Sequence, residues 1–477
     1  MRKNYTELSR IKSDFRQALS SRFSFSSSTL KEATPFTKKE ARTVALSLAR
    51  TRKRLKEQYK PNQLLGRRDT IGCVAVEITQ RCNLDCTLCY LSDNSEDVKD
   101  IPLEEIYRRL DDVIKHYGPG VPVQITGGDP TLRKREELVE IVKYARDLGL
   151  QPALFTNGIK ATRSLIEELV SVGLMDLAFH VDITQERKGY PDEVSLNEIR
   201  TEYIERTKGL PITVIFNTTI CDANIDALPE IVDFFAKNSN RVNMASFQLQ
   251  ADSGRGEMLA REDALTVERV KTIINKKLNI ETHWDPFIIG HEDCNNILPL
   301  ISINSKTYSI PFSAEFLAQW LEDFRHITFD RRLPIKSNVS KFIKATVRKP
   351  KWIFKFLFAL KFSLLLEMTI NLIKSRGKIE RLAFFIHNFM DANELEQDRI
   401  DGCSFMVMTH KGPVSMCEHN AHRDEYILSP IQINSPDGTE IWEPLIERRK
   451  KNRKARGERT WKKKSLNVVG SGCSGCK

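Results

Sequence analysis

Between residues 71 and 290, short apolar runs alternate with longer segments of helical spacing. The runs are Val74–Ile78, Val121–Thr126, Pro152–Thr156, Met175–Val181, Ile212–Thr218 and Asn243–Gln248, each ending in turn-forming residues. Helical patterns occupy 103–116, 135–148, 161–172, 196–208, 225–237 and 264–277. Six strand-then-helix units without hairpin signals predict an α/β fold with a parallel sheet and helices outside it. In such folds chemistry sits at the C-terminal ends of the strands.

The flanks follow other patterns. Residues 1–70 show helical spacing at Ala41, Val44, Ala45, Leu48 and Leu55, with a Ser-rich loop over Ser24–Thr34. They are expected to form a basic helical extension wrapped on the central domain 71–290. Residues 291–400 leave the alternation and read as a helical, apolar insert or linker. Within them 351–375 forms an amphipathic helix with a very wide apolar face and a narrow polar stripe through Lys351, Lys355, Ser363, Glu367, Asn371 and Ser375. Lys355, Lys361 and Glu367 argue against a membrane span, since each central charge costs roughly 2.5–3.5 kcal/mol to insert. Two readings stand for this helix: buried in the C-terminal domain, or lying in a membrane interface or lining a lipid tunnel. Flanking Arg348, Lys349, Lys351, Lys374, Arg376 and Lys378 favour the second. In 401–477, Met406–Met416 reads as a β-hairpin around His410-Lys411-Gly412-Pro413.

Composition changes this picture in two places. With 40% hydrophobic and 29% charged residues, the 477-residue chain is globular and long enough for two or three domains. The net charge of +11 conceals a surplus of 12 in residues 1–70 and of 10 in 448–464, so the basic charge is concentrated at the two ends. No helix-turn-helix, zinc-finger or RNA-recognition pattern accompanies it, so nucleic acid is not an expected partner. An anionic membrane surface remains one. No secretory segment is recognised, so the ten cysteines are expected to act as metal ligands in a reducing cytoplasm rather than as disulfides.

The cysteines carry the chemistry. Cys82, Cys86 and Cys89 stand at x3 and x2 spacing directly after the first strand. Three thiolates on one loop hold three corners of a [4Fe–4S] cluster and leave one iron open to a small molecule. The alternative is a structural zinc, which normally takes four ligands.

This spacing resembles the signature of the radical S-adenosylmethionine (SAM) enzymes. The resemblance implies an incomplete (β/α)6 barrel of TIM type with the cluster loop after its first strand. It also implies SAM bound to the open iron, an external electron donor such as flavodoxin or ferredoxin, and a 5′-deoxyadenosyl radical that abstracts hydrogen from substrate. Gly127-Gly128-Asp129 after the second strand is similar to the family's Gly-Gly-Glu motif, which meets the SAM amino group. The shorter Asp is a departure that gives backbone carbonyls more of the work. Asn157 in Thr156-Asn157-Gly158, Asp182 after the fourth strand and Asn217 on the fifth are further expected SAM contacts, and His180 reads as a core histidine. Arg255 is of a type that holds a carboxylate or phosphate. No general acid or base is assigned.

Cys403 and Cys417, brought together by the expected hairpin, and Cys473-x2-Cys476 resemble a reduced, SPASM/Twitch-like auxiliary iron–sulfur domain. The four would complete a second [4Fe–4S] cluster, with tetrahedral zinc as the alternative. Cys294 is either a further ligand or a buried free thiol. His419 and His422, beside Cys417, are either further ligands or, the more frequent case, surface residues. The order of parts also resembles tetraether synthases and their methylene-transferring relatives. The expected function is hydrogen abstraction from an apolar, lipid-like substrate, with C–C bond formation or alkyl transfer, by a cytoplasmic protein held peripherally on the membrane. The alternative is a peptide- or protein-modifying maturase.

Overall fold

The computed structural model describes residues 37–256, 265–304, 306–309, 311–324, 335–359, 362–376, 378–435 and 438–445. Six strands follow one another in parallel: β1 (Cys73–Thr79), β2 (Pro122–Gly127), β3 (Gln151–Thr156), β4 (Asp176–His180), β5 (Thr213–Ile220) and β6 (Met244–Leu249). Each is followed by a helix, over Leu103–Tyr117, Arg135–Asp147, Arg163–Ser171, Asn197–Arg206, Leu228–Lys237 and Val267–Leu278. The helix over Leu103–Tyr117 shows why. Ile106, Leu110, Val113 and Tyr117 recur at helical spacing and are buried, while Glu104 and Glu105 open it and Lys115 and His116 close it along the helix dipole. Every residue of β1 is buried, as expected of a parallel strand covered on both faces. All six units lie where the alternation of runs places them, and the α/β partial-barrel expectation holds.

Five more strands join this sheet: β7 (Asn295–Ile303), β8 (Lys306–Ser309), β9 (Glu380–His387), β10 (Phe405–Thr409) and β11 (Gly412–Ser415). β9 adds parallel to β6, and β10 adds parallel to β1 on the opposite flank. The sheet curls until these flanks meet. Asn295 donates to Ser404 Oγ at 2.8 Å, and the His387 ring stands edge-on to Phe405 at 5.0 Å. Residues 291–400, read as a helical insert, therefore supply three strands as well as helices. β9 carries the apolar run Leu382–Ile386 after the turn-forming residues Ser375-Arg376-Gly377-Lys378, a strand signal that the helical reading of 291–400 passed over.

β10 and β11 form the expected antiparallel hairpin, with Thr409 paired to Gly412. The N-terminal helix Lys38–Leu55 starts in a capping box between Thr37 and Glu40. It docks on the barrel through Arg54, which donates to the carbonyls of Asp401 and Cys403 at 2.7 and 2.8 Å. Within the expected helix over 351–375, the described residues are helical over Lys351–Ala359 and Phe362–Lys374. Among the described residues no helix is long and apolar enough to cross a membrane.

Candidate active site

The curled sheet encloses a cavity of about 420 Å³, bordered near the strand ends by Cys82, Cys86, Cys89, Gly127, Gly128 and Asn157. The cysteine loop leaves β1 and is tied down along its length. Thr87 N–H donates to the Thr184 carbonyl at 2.9 Å, and Arg255 N–H donates to the Cys89 carbonyl at 2.8 Å. Tyr90 Oη donates to the Gly127 carbonyl at 2.7 Å, joining the cysteine loop to the glycine pair. Arg255, read from sequence as an anion holder, is a clamp instead. Its guanidinium reaches the Ser92 carbonyl at 3.3 Å and the carboxylates of Asp85 and Glu96 at 3.5 and 3.6 Å.

Burial pushes the Cys82 thiol up to about 11, with Asp129 and Cys89 adding to the effect. Cys86 is also raised, by burial first and then by Cys89, Asp182 and Cys82. Cys89 is raised by burial, against the opposing pull of the Leu91 N–H, Arg255 and Arg423. All three thiols border one cavity, and burial favours the protonated form of each. A metal bound there must displace those protons. Among the described residues, no three His, Cys, Asp or Glu side chains are already closed into a coordinating group. The donor set nevertheless fits an iron–sulfur cluster, with three soft ligands on one short loop at the edge of a cavity that admits a small molecule.

The glycines serve the loop before any ligand. Gly127 has φ +130°, and a Cβ there would lie 1.9 Å from the Thr79 carbonyl oxygen. At Gly128 it would lie 2.1 Å from that of Arg81. The end of β2 is pressed against the start of the cysteine loop, and only residues without a side chain allow it. Asp129 is not in the cavity wall. It is 1% exposed, and its carboxylate accepts from Thr131, from Thr156 Oγ1 at 2.8 Å and from Asn157 N–H at 2.8 Å. The expected meeting of this carboxylate with an ammonium group is therefore replaced by an internal role, tying the end of β2 to that of β3.

Asn157 borders the cavity, donating to Asn83 Oδ1 at 2.7 Å and standing 3.9 Å from Cys82 Sγ. Asn217 also faces the cavity, from β5. Asp182 does not. It is fully buried and accepts from His180 Nε2 at 2.6 Å, Thr184 N–H at 3.0 Å and Thr219 N–H at 2.8 Å. Burial alone would raise this carboxyl, but His180 and the Thr184 and Thr219 donors hold it well below the usual carboxylate range. The cavity residue is His180, read from sequence as core, with Asp182 fixing its ring.

A second thiol group sits where the sheet flanks meet. Cys403 precedes β10, Cys417 follows β11 and Cys294 precedes β7. Burial raises Cys417 to about 12, with Cys403 and Cys294 contributing, and raises Cys294 to about 11 against the pull of Arg399. Arg399 Nε donates to Cys294 Sγ at 3.3 Å, and Met390 N–H to Cys417 Sγ at 3.4 Å. Cys417 borders the same cavity as the first set, past apolar walls from Phe385, Phe389, Met390, Phe405 and Met416. Cys473 and Cys476 lie outside the described residues.

Two features escaped sequence reasoning. His387 ends β9 on the cavity wall, its Nδ1 2.9 Å from Asn295 Oδ1, and burial lowers it to about 3. The apolar run Leu382–Ile386 before it is the signal that could have found it. His419, read as a surface residue, is 2% exposed beside Glu77, which pairs with Arg423 from the far end of the chain.

Residues 76–235 match the family model described as the radical SAM superfamily. The chain is 28% identical over 219 residues to the 7,8-dihydro-6-hydroxymethylpterin dimethyltransferase of Methanocaldococcus jannaschii, covering 44% of this chain and 43% of the relative. It is 28% identical to the Fe-coproporphyrin III synthase of Methanosarcina barkeri, covering 51% and 66%, and 30% identical to the PqqA peptide cyclase of Bradyrhizobium diazoefficiens, covering 37% and 46%. The chain thus spans about half the length of the curated relatives it matches. Taken with the cysteine loop, the glycine pair and the parallel barrel around them, the match makes residues 76–235 a radical SAM domain.

Proposed function

We propose that this chain is a radical SAM enzyme that abstracts hydrogen from an apolar, lipid-like substrate held between two metal sites. When bound, a [4Fe–4S] cluster on Cys82, Cys86 and Cys89 with SAM on its open iron supplies a 5′-deoxyadenosyl radical, given one electron from an external donor such as ferredoxin or flavodoxin. The protein's own residues position and shield. Gly127 and Gly128 set the cysteine loop against β2. Asn157, Asn217 and the Asp182-fixed ring of His180 offer polar contacts to SAM from three strand ends.

The observation that carries the substrate reading is the shared cavity. Besides the cysteine loop, it is bordered by Phe385, Phe389, Met390, Phe405, Met416 and Cys417. Apolar substrate carbon would lie there, and C–C bond formation or alkyl transfer would follow abstraction. Cys294, Cys403 and Cys417, with Cys473 or Cys476, would hold the second cluster. The enzyme would work in the cytoplasm, drawing substrate from a membrane surface. A second reading, modification of a peptide, is favoured by the likeness to the PqqA peptide cyclase.

The second site is tested by Cys403→Ala. This variant is expected to lose the second cluster's share of iron after anaerobic reconstitution while keeping most of the SAM cleavage, because Cys403 borders the other thiol group. Full iron retention would remove Cys403 from the ligand set. Substrate class is tested by adding extracted lipids or total peptides to the reconstituted enzyme with deuterated solvent and following 5′-deoxyadenosine. Lipids are expected to accelerate its release; acceleration by peptides alone would favour the second reading.

A further inference from the structure

The helices Lys351–Ala359 and Phe362–Lys374 present large apolar side chains to solvent. In the second, Glu367 and Asn371 bond to β8. Glu367 accepts from Tyr308 Oη at 2.8 Å and from Lys306 at 2.5 Å, and Asn371 donates to Tyr308 Oη at 2.8 Å. Leu366, Ile370 and Ile373 recur at helical spacing on the same helix and are 52%, 43% and 70% exposed. In the first helix Trp352 anchors the pair, fully buried against Phe316 and Phe324, while Phe354 and Phe358 one turn apart are 62% and 86% exposed. A water-facing helix places its apolar stripe inward and its polar stripe outward. Here the outward face carries large apolar side chains that water does not favour.

Charge selects the occupant. Residues 335–378 contain eleven Lys and Arg against Glu367 as the single acidic residue. Glu367 is paired with Lys306 and Tyr308, whereas Lys341, Lys344, Arg348, Lys374, Arg376 and Lys378 are exposed. A second copy of this chain would bring like charge against like charge. An anionic bilayer offers apolar depth for the phenylalanines and isoleucines and phosphate oxygens for the lysines and arginines. We propose that the exposed face of helices Lys351–Ala359 and Phe362–Lys374 docks on an anionic lipid surface, inserting Phe354, Phe358, Ile370 and Ile373 below the headgroups. This deepens the lipid-substrate reading, on which it rests for its purpose, but docking needs no turnover and is measured without it.

The test is flotation of the full-length protein with phosphatidylcholine vesicles, with and without phosphatidylglycerol, for wild type and Phe358→Glu/Ile373→Glu. Wild type is expected to float with the anionic vesicles and much less with the neutral ones. The double variant, altered only where side chains are exposed, is expected to lose at least about tenfold in partitioning with an unchanged circular dichroism spectrum and unchanged 5′-deoxyadenosine release in buffer. Wild type remaining at the bottom with anionic vesicles would overturn the proposal. So would a double variant that floats like wild type, which would place binding in the basic ends, or a wild-type dimer that the variant converts to monomer. If wild type floats but releases no 5′-deoxyadenosine, the docking surface stands and the catalytic reading fails.

Discussion

Gly127→Ala is expected to lose about 4 kcal/mol or more of stability and all measurable SAM cleavage. The added Cβ would meet the Thr79 carbonyl oxygen at 1.9 Å, a backbone atom that no rotamer change can move. Relief requires the ends of β1 and β2 to separate, and the cysteine loop begins at that point. Gly127 also accepts the hydrogen bond from Tyr90, next to Cys89, so the displacement is passed directly to the cysteine loop. Gly189→Ala is the control. It shares a positive φ, +92°, but nothing lies within 4 Å of its Cβ. It should cost only about 1–2 kcal/mol of backbone strain and leave cleavage intact. Urea denaturation of both variants separates collision from strain.

Arg423→Met is expected to destabilise by about 3–5 kcal/mol, because it strands a buried carboxylate. Arg423 donates to Glu77 Oε1 at 2.6 Å, and their side chains are only 2% and 5% exposed. Burial alone would raise Glu77. Arg423 and His419 outweigh it, with a bond from Gln80, and hold Glu77 down at about 2. A carboxyl depressed in the folded state contributes stability that is fully present above its unfolded value near 4.5 and lost as pH falls toward about 2. Wild type should therefore lose stability through that window. In Arg423→Met the depression disappears and burial dominates, so the gap between the two proteins should narrow on acidification. Glu77→Gln/Arg423→Met should recover much of the loss at neutral pH. Thermal melts at stepped pH distinguish these outcomes. Because the same guanidinium lies 4.7 Å from the Tyr90 ring, the pair also links the C-terminal helices to the cysteine loop.

The six βα units were legible because parallel strands buried on both faces read as unbroken apolar runs, and their helices carry one apolar stripe each. The hairpin over 405–415 was legible from its turn residues, and with it the approach of Cys403 and Cys417. β9 was missed although Ser375-Arg376-Gly377-Lys378 separates its apolar run Leu382–Ile386 from the helix before it, because the whole of 291–400 was read as one helical insert. Residue type pointed to Asp129 and Asp182, but not to what they bond. Both carboxylates are consumed by hydroxyl, amide and imidazole donors brought in by neighbouring strand ends, which only the folded barrel supplies. Glu77 and Arg423 are 346 residues apart, and no local pattern connects them. The wide apolar face of 351–375 was visible in the spacing. Which face met the protein was decided by Tyr308 and Lys306 on β8.

The central claim is that Cys82, Cys86 and Cys89 hold a cluster that cleaves SAM reductively. Its most direct test is the amount of 5′-deoxyadenosine released from SAM by anaerobically reconstituted, dithionite-reduced protein, comparing wild type with Cys86→Ala. Wild type is predicted to release 5′-deoxyadenosine with methionine in equal amount, and Cys86→Ala to release none. Iron-loaded wild type that releases none, or a Cys86→Ala variant that matches it, would contradict the account.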